Sequence, residues 1–221
     1  LGFESYVNLN GHFGISRNAL TQVILNGDHG LLKFTDTAIG TIATNTQLPD
    51  HPLHAYAEHY HFDNDTLEDS AEKIVVERGA ILALLREGNQ QIAWDYLSSA
   101  LHTIEDFYSH STWVENFERG LTASFTANHS DVDAFRRQWF YPGEPKAGCD
   151  GAGSLPFVTP NITTTFYERI HLSGPPYVVA GVAKCVHGGL TRNWESTLLG
   201  GTRADKHTCS LCNHDVAKAM G

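Results

Sequence analysis

His102, Asp106 and His110 fall four residues apart in the run ALHTIEDFYSHSTWVE. In an α-helix of about 3.6 residues per turn, that spacing stacks the three side chains along one face. Two imidazoles and a carboxylate on one stripe are nitrogen and oxygen donors of the kind that hold zinc or a similar divalent ion. Ile104, Phe107, Tyr108 and Trp113 lie elsewhere on the helical wheel and are left to pack. Taken alone, the stripe is equally compatible with two ordinary histidines paired to Asp106.

Further donors lie in other segments. His12 stands in GHFGISRNAL, Asp50 in LPDHP, and His59 to Asp65 (HYHFDND) alternates histidine and aspartate. His187 follows in KCVHGG and His214 in HTCSLCNH. Asp63 and Asp65 are expected to orient His61 or to cap the next helix. His29, His51, His54, His59 and His171 are read as surface or supporting residues. HTCSLCNH has zinc-knuckle spacing, but in an oxidising compartment a Cys209–Cys212 disulfide is the preferred reading.

The elements that must position these donors are mostly helical. Residues 16–33 read as a helix opened by Ser16 and interrupted near Gly27. Residues 67–87 form an amphipathic helix stopped by Gly88-Asn89, and a helix from about 90 to 110 carries the stripe. Residues 47–66 form a polar, His- and Asp-rich connection. After residue 141 the prolines, glycines and cysteines indicate irregular structure. Short helices are expected at 131–140, 161–171 and 210–220, with a strand at Tyr177–Val182. The expected class is mainly α: one domain over 1–221, with a helical metal-binding part (1–140) and a Pro/Gly/Cys-rich part (141–221) packed on it.

Composition sets the limits. In 221 residues, 41% are hydrophobic, enough for a substantial core, and the formal net charge of -10 argues against broad electrostatic gripping of nucleic acid. Thirteen histidines are the outlier. Three sequons (Asn64, Asn128 and Asn161) and four cysteines in the last third of the chain suggest an oxidising compartment. Of three possible connectivities, Cys149–Cys185 with Cys209–Cys212 is favoured. No stretch is apolar enough to span a membrane. The chain is expected to be secreted and soluble, with its signal peptide removed.

ALHTIEDFYSHSTWVE resembles a signature shared by the fungal incompatibility protein Het-C and the N-terminal region of a von Willebrand factor A domain-containing protein. The likeness continues through GHFGISRNAL, HFDND, residues 67–87 and KCVHGG, in order. Those proteins resemble bacterial zinc-dependent phospholipases C and, more distantly, zinc-dependent single-strand nucleases. The resemblance implies a helical fold around a cluster of two or three zinc ions. It implies His12, Asp50, His61, His102, Asp106 and His110 as ligands, with Asp106 bridging two ions and Leu1 as a further candidate. The phospholipase spacing from the bridging aspartate to the last histidine is two residues longer, and a later His-x-x-x-Glu pair has no clean counterpart. His187 and His214 are candidates to complete the third site, and His129-x-x-x-Asp133 matches the pattern formally.

Such a cluster suits hydrolysis of a phosphodiester, with the ions polarising phosphoryl oxygens and activating water. Asp50 would be both ligand and catalytic proton acceptor. The expected activity is a secreted phospholipase C working at a lipid surface. Phe3, Tyr6, Phe62, Phe107, Tyr108 and Trp113 would form an apolar rim unless they are core. A nuclease, with nucleic acid the less favoured partner, and a non-enzymatic Het-C-like recognition domain with a structural metal cluster stand as alternatives.

Overall fold

The structure, a computed structural model, describes residues 11–27, 30–51, 54, 57–63, 66–110, 178–179 and 182–183. The expected helices at 131–140, 161–171 and 210–220, all four cysteines, Leu1, His129, Asp133, His187 and His214 lie outside the described residues. Those described are mostly helical, as a mainly α class requires.

Two long helices, Leu67–Arg86 (α4) and Gln90–His110 (α5), carry most of the frame and pack on each other. The turn between them is dictated locally. Gly88 adopts φ 79°, the Asn89 amide donates to the Leu84 carbonyl at 2.8 Å, and the Gly88 amide donates to Leu85 at 3.2 Å. This pair of bonds closes the end of α4, and the left-handed residue it needs is a glycine. A three-residue link then returns α5 along α4, so the two helices run antiparallel.

The N-terminal part corrects the single helix expected over 16–33. A helix runs from His12 to Gln22 (α1), and Ile24–Gly27 (β1) pairs antiparallel with Gly30–Lys33 (β2). The helix cannot continue, because β-branched Val23-Ile24 leads into Asn26-Gly27 and Gly30 sits at φ 117°, where side chains are strained. Ser16 is not the cap either: it is buried inside α1, and Gly11 precedes the helix.

Asp36–Asn45 (α2) has no counterpart among the expected elements. Thr35 caps it, its hydroxyl accepting from the Ala38 amide at 3.2 Å. Its apolar face supplies Ala38, Ile39 and Ile42, which meet Leu20 of α1 and are flanked by Phe34, Trp94, Leu97 and Leu101. A single turn, Glu58–His61 (α3), packs on α4 and α5. In place of the strand expected at Tyr177–Val182, two short strands, Val178–Val179 (β3) and Val182–Ala183 (β4), pair antiparallel.

Candidate metal centre

Packing forces the stripe of α5 inward. Ser98 donates towards the Ile42 carbonyl at 3.0 Å and joins α5 to α2 one turn before His102. Beyond that point His102, Asp106 and His110 are all fully buried. α1 delivers His12 from its first residue, the segment after α2 delivers Thr46 and Asp50, and α3 delivers His61. Phe62 then turns the chain through a left-handed conformation (φ 53°), which brings Asp63 towards α5. Phe62 is anchored by its ring, edge-on to Phe107 at 5.1 Å.

Asp106 is the focus. Its Oδ2 lies 2.8 Å from His61 Nδ1 and 2.9 Å from His102 Nε2. Its Oδ1 faces His12 Nε2 at 3.3 Å and His110 Nε2 at 3.6 Å. His12 Nε2 is also 3.9 Å from Asp50 Oδ2. Donors at about 2.0–2.1 Å around a tetrahedral zinc stand about 3.3 Å from one another. The His12 and His110 separations therefore suit ligands sharing an ion better than hydrogen bonds.

On three of the histidines the other ring nitrogen is fixed. His12 Nδ1 meets Glu105 Oε2 at 2.7 Å, and Ser16 donates to Glu105 Oε1. His102 Nδ1 lies 2.7 Å from the Thr46 carbonyl, and His110 Nδ1 lies 2.9 Å from Asp63 Oδ1. Partners of this kind orient imidazole ligands and direct Nε2 to a metal. The case of His102 is the most constrained. A carbonyl only accepts, so Nδ1 carries a proton, and in the neutral ring Nε2 is a lone pair aimed at a carboxylate 2.9 Å away. That contact needs either a positive charge or a proton shared from His61 Nδ1, which lies 3.0 Å from the same Nε2.

The electrostatics say how hard it is for a proton to supply that charge. Burial pushes His102 below its ordinary pKa, and neighbouring His12 adds to this against the pull of Asp106. Burial opposes charge on His12 too, but Asp106 and Glu105 outweigh it and hold His12 well above its ordinary value. Burial alone would raise Asp106, yet His102, His110 and His12 hold it well below the usual carboxylate range. Burial raises Glu105. Both oxygens of Asp50, His61 Nε2 and Asp106 Oδ1 are buried with no hydrogen bond among the described residues. Leaving a buried polar atom unsatisfied costs about 1–3 kcal/mol, so four together call for a missing partner.

Six of the expected ligands thus converge: His12, Asp50, His61, His102, Asp106 and His110. Two donor sets have ligand atoms within 4.8 Å of one another, His12/His102/Asp106 and Asp50/His61/His102. Three supporting roles were not foreseen. Glu105 and Thr46 had no assigned function, and Asp63 orients His110 rather than His61. Glu105 carried a signal, since a carboxylate beside the stripe at 102/106/110 falls close to the same face. The Thr46 contact is made by backbone and has none. His51, His54 and His59 are exposed, in keeping with surface roles. Phe62, Phe107 and Tyr108 are buried, so these three belong to the core and not to an exposed apolar rim.

The family model that matches this chain is that of the VWA7 N-terminal domain, over residues 15–220. Two similar proteins are both described as von Willebrand factor A domain-containing protein 7. The mouse protein is 28% identical over 158 residues, covering 70% of this chain and 16% of the relative. The rat protein is 31% identical over 165 residues, covering 68% of this chain and 17% of the relative. No solved structure matches. These matches correct the assignment to Het-C-like proteins and zinc phospholipases C, and with it the expected activity. Nothing in them indicates a secreted phospholipase C, a nuclease or a Het-C-like recognition domain. The physical reason is that a His-x-x-x-Asp-x-x-x-His stripe is what a helix needs to present three donors on one face. It specifies a donor set and leaves the reaction open.

Proposed function

The chain belongs to the VWA7 N-terminal domain family, and we propose that its function within the longer proteins of that family is to bind divalent metal in a buried imidazole–carboxylate centre. The observation that carries this reading is the lone-pair face of His102 against Asp106 at 2.9 Å, inside a shell where the second ring nitrogens of His12, His102 and His110 are already engaged. A cation satisfies that contact together with the buried atoms of Asp50, His61 and Asp106.

His12, His102 and Asp106 would hold one ion, and Asp50 and His61 belong to the overlapping second set. His102 is common to both sets, and Asp106, with one oxygen towards His12 and His110 and the other towards His61 and His102, would lie beside both. Imidazole and carboxylate donors together suit zinc and similar divalent ions. Bound metal supplies positive charge and links α1, the segment after α2, α3 and α5. The chain's own residues orient the ligands: Glu105 sets His12, the Thr46 carbonyl sets His102 and Asp63 sets His110. Asp50 enters this reading as a ligand. The sequons and the paired number of cysteines support a secretory location for the domain. No helix among the described residues is long and apolar enough to cross a membrane.

The test is direct. Protein purified without chelator, then dialysed against dilute zinc, is analysed for bound metal and for melting temperature with and without EDTA. Stoichiometric zinc with a chelator-sensitive melting temperature supports the reading, and neither being present refutes it.

A further inference from the structure

Lys73 lies far from the ligand set in sequence and is nearly buried, its side chain 8% exposed. Its ammonium donates to Glu77 Oε2 at 2.8 Å, Ser99 Oγ at 2.9 Å and Thr103 Oγ1 at 3.0 Å. Three donors therefore meet three oxygens, two of them on α5, and Thr103 is the neighbour of His102. The same ammonium stands 4.3 Å from the centroid of the Tyr60 ring. Tyr60 belongs to α3 and is the neighbour of His61.

The geometry around His61 explains why this matters. α3 is a single turn of four residues, too short to hold a ligand by its own hydrogen bonds. His61 is flanked by two anchored rings. Phe62 is fixed inward against Phe107 at 5.1 Å, and Tyr60 is fixed on the α4 side by the Lys73 ammonium. With both neighbours held, the turn is kept where the His61 ring meets Asp106 and His102. A cation over an aromatic face is strongest where water is excluded, and Lys73 is largely desolvated.

We infer that Lys73 is a positioning residue for the metal centre, holding Tyr60, and through it α3 and His61, in the arrangement that binds metal. The inference rests on the metal-binding reading above and adds a residue that touches no ligand. Burial of Lys73 is tolerated because Glu77 pairs with its charge, and the two form one unit spanning a turn of α4.

The experiment is a double-mutant cycle on Tyr60→Leu and Lys73→Met, with Tyr60→Phe as the conservative control. Zinc affinity is measured by competition with a chromophoric chelator, and amide exchange over residues 57–63 is measured in zinc-free protein. Tyr60→Phe keeps the aromatic face and should bind zinc within about twofold of wild type. Tyr60→Leu and Lys73→Met should each weaken zinc binding about fivefold and speed exchange in that segment. The double variant should be no weaker than the poorer single variant, because both remove the same contact. Independent losses, which would multiply to about twenty-fivefold, or unchanged exchange in Tyr60→Leu, overturn the inference. Tyr60→Leu leaves the Lys73–Glu77 pair intact, so a Lys73→Met protein too unstable to study does not remove the test. If wild type binds no zinc, the metal-binding reading falls and the positioning role for metal falls with it. Unchanged zinc affinity in Tyr60→Leu beside a zinc-binding wild type overturns the inference alone.

Discussion

Replacing Asp106 by Asn tests the centre at its most connected point. Asn keeps the size and one oxygen but removes the negative charge that faces His61, His102, His12 and His110 at 2.8, 2.9, 3.3 and 3.6 Å. A ligand that binds only the folded state stabilises it by about 2.7 kcal/mol at a hundredfold excess over Kd and about 4.1 kcal/mol at a thousandfold. For a protein of this length, 1 kcal/mol moves the melting temperature by about 2–4 °C. Zinc at a hundred times Kd should therefore raise the wild-type melting temperature by about 5–11 °C over EDTA. In Asp106→Asn most of that rise should vanish, with loss of at least one bound ion. Asp69→Asn, an exposed carboxylate in the first turn of α4, should keep the full rise and cost less than about 0.5 kcal/mol. The assay is calorimetry with and without zinc, paired with elemental analysis. An Asp106→Asn protein that keeps both its metal and its zinc-dependent rise would refute the reasoning.

Other consequences can be checked on the same material. Glu105→Gln removes the carboxylate that fixes His12 Nδ1 and should weaken zinc binding about 10- to 100-fold while the fold persists, as read by chelator competition and circular dichroism. The pH dependence should differ between the two forms. His12 has a folded pKa raised above 6.5, so in metal-free protein its contribution is full below that value and is lost as pH rises through the folded pKa. Asp106 has a folded pKa below 3.8, so its contribution is present above 3.8 and is lost as pH falls through the folded value. Zinc competes with protons for the imidazoles, so the gap in melting temperature between zinc and EDTA should widen from pH 6 to pH 8; a constant gap would count against His12 as a ligand. Ile42→Ala, at a fully buried position where α2 meets α5, should cost about 2–5 kcal/mol by chemical denaturation, zinc-bound or not.

How much of this was legible in the sequence depended on whether a residue's role is set locally. α4 and α5 were, because their apolar residues keep the helical period and Gly88 supplies an unmistakable stop. α1 and the hairpin were not separable by period. Ile24, Leu25, Leu31 and Leu32 sit at helical spacing yet are 56–70% exposed on two strands, so their apolar character reported no core face. α2 was hidden by composition. Thr37, Ile39, Thr41, Ile42 and Thr44 are β-branched and Gly40 is a poor helix former, and burial of Ile39 and Ile42 overrides that. The convergence of His102, Asp106 and His110 was readable because four-residue spacing on a helix puts three side chains on one face. The residues that orient them were harder, since Glu105 to His12 spans 93 positions and Thr46 acts through its carbonyl. The reaction was not legible at all. A donor set that could serve a lipase, a nuclease or a structural site does not choose among them, and the likeness to VWA7 N-terminal domains moves the reading away from the first two.

The measurement that meets the central claim most directly is X-ray absorption at the zinc edge on the purified domain, beside a His102→Ala variant. A metal centre built from these residues predicts stoichiometric zinc with a nitrogen and oxygen shell at about 2.0–2.1 Å, outer-shell scattering from several imidazoles, and loss of that signal in the variant. Zinc that washes out on dialysis, or a wild-type spectrum that His102→Ala leaves unchanged, would contradict it.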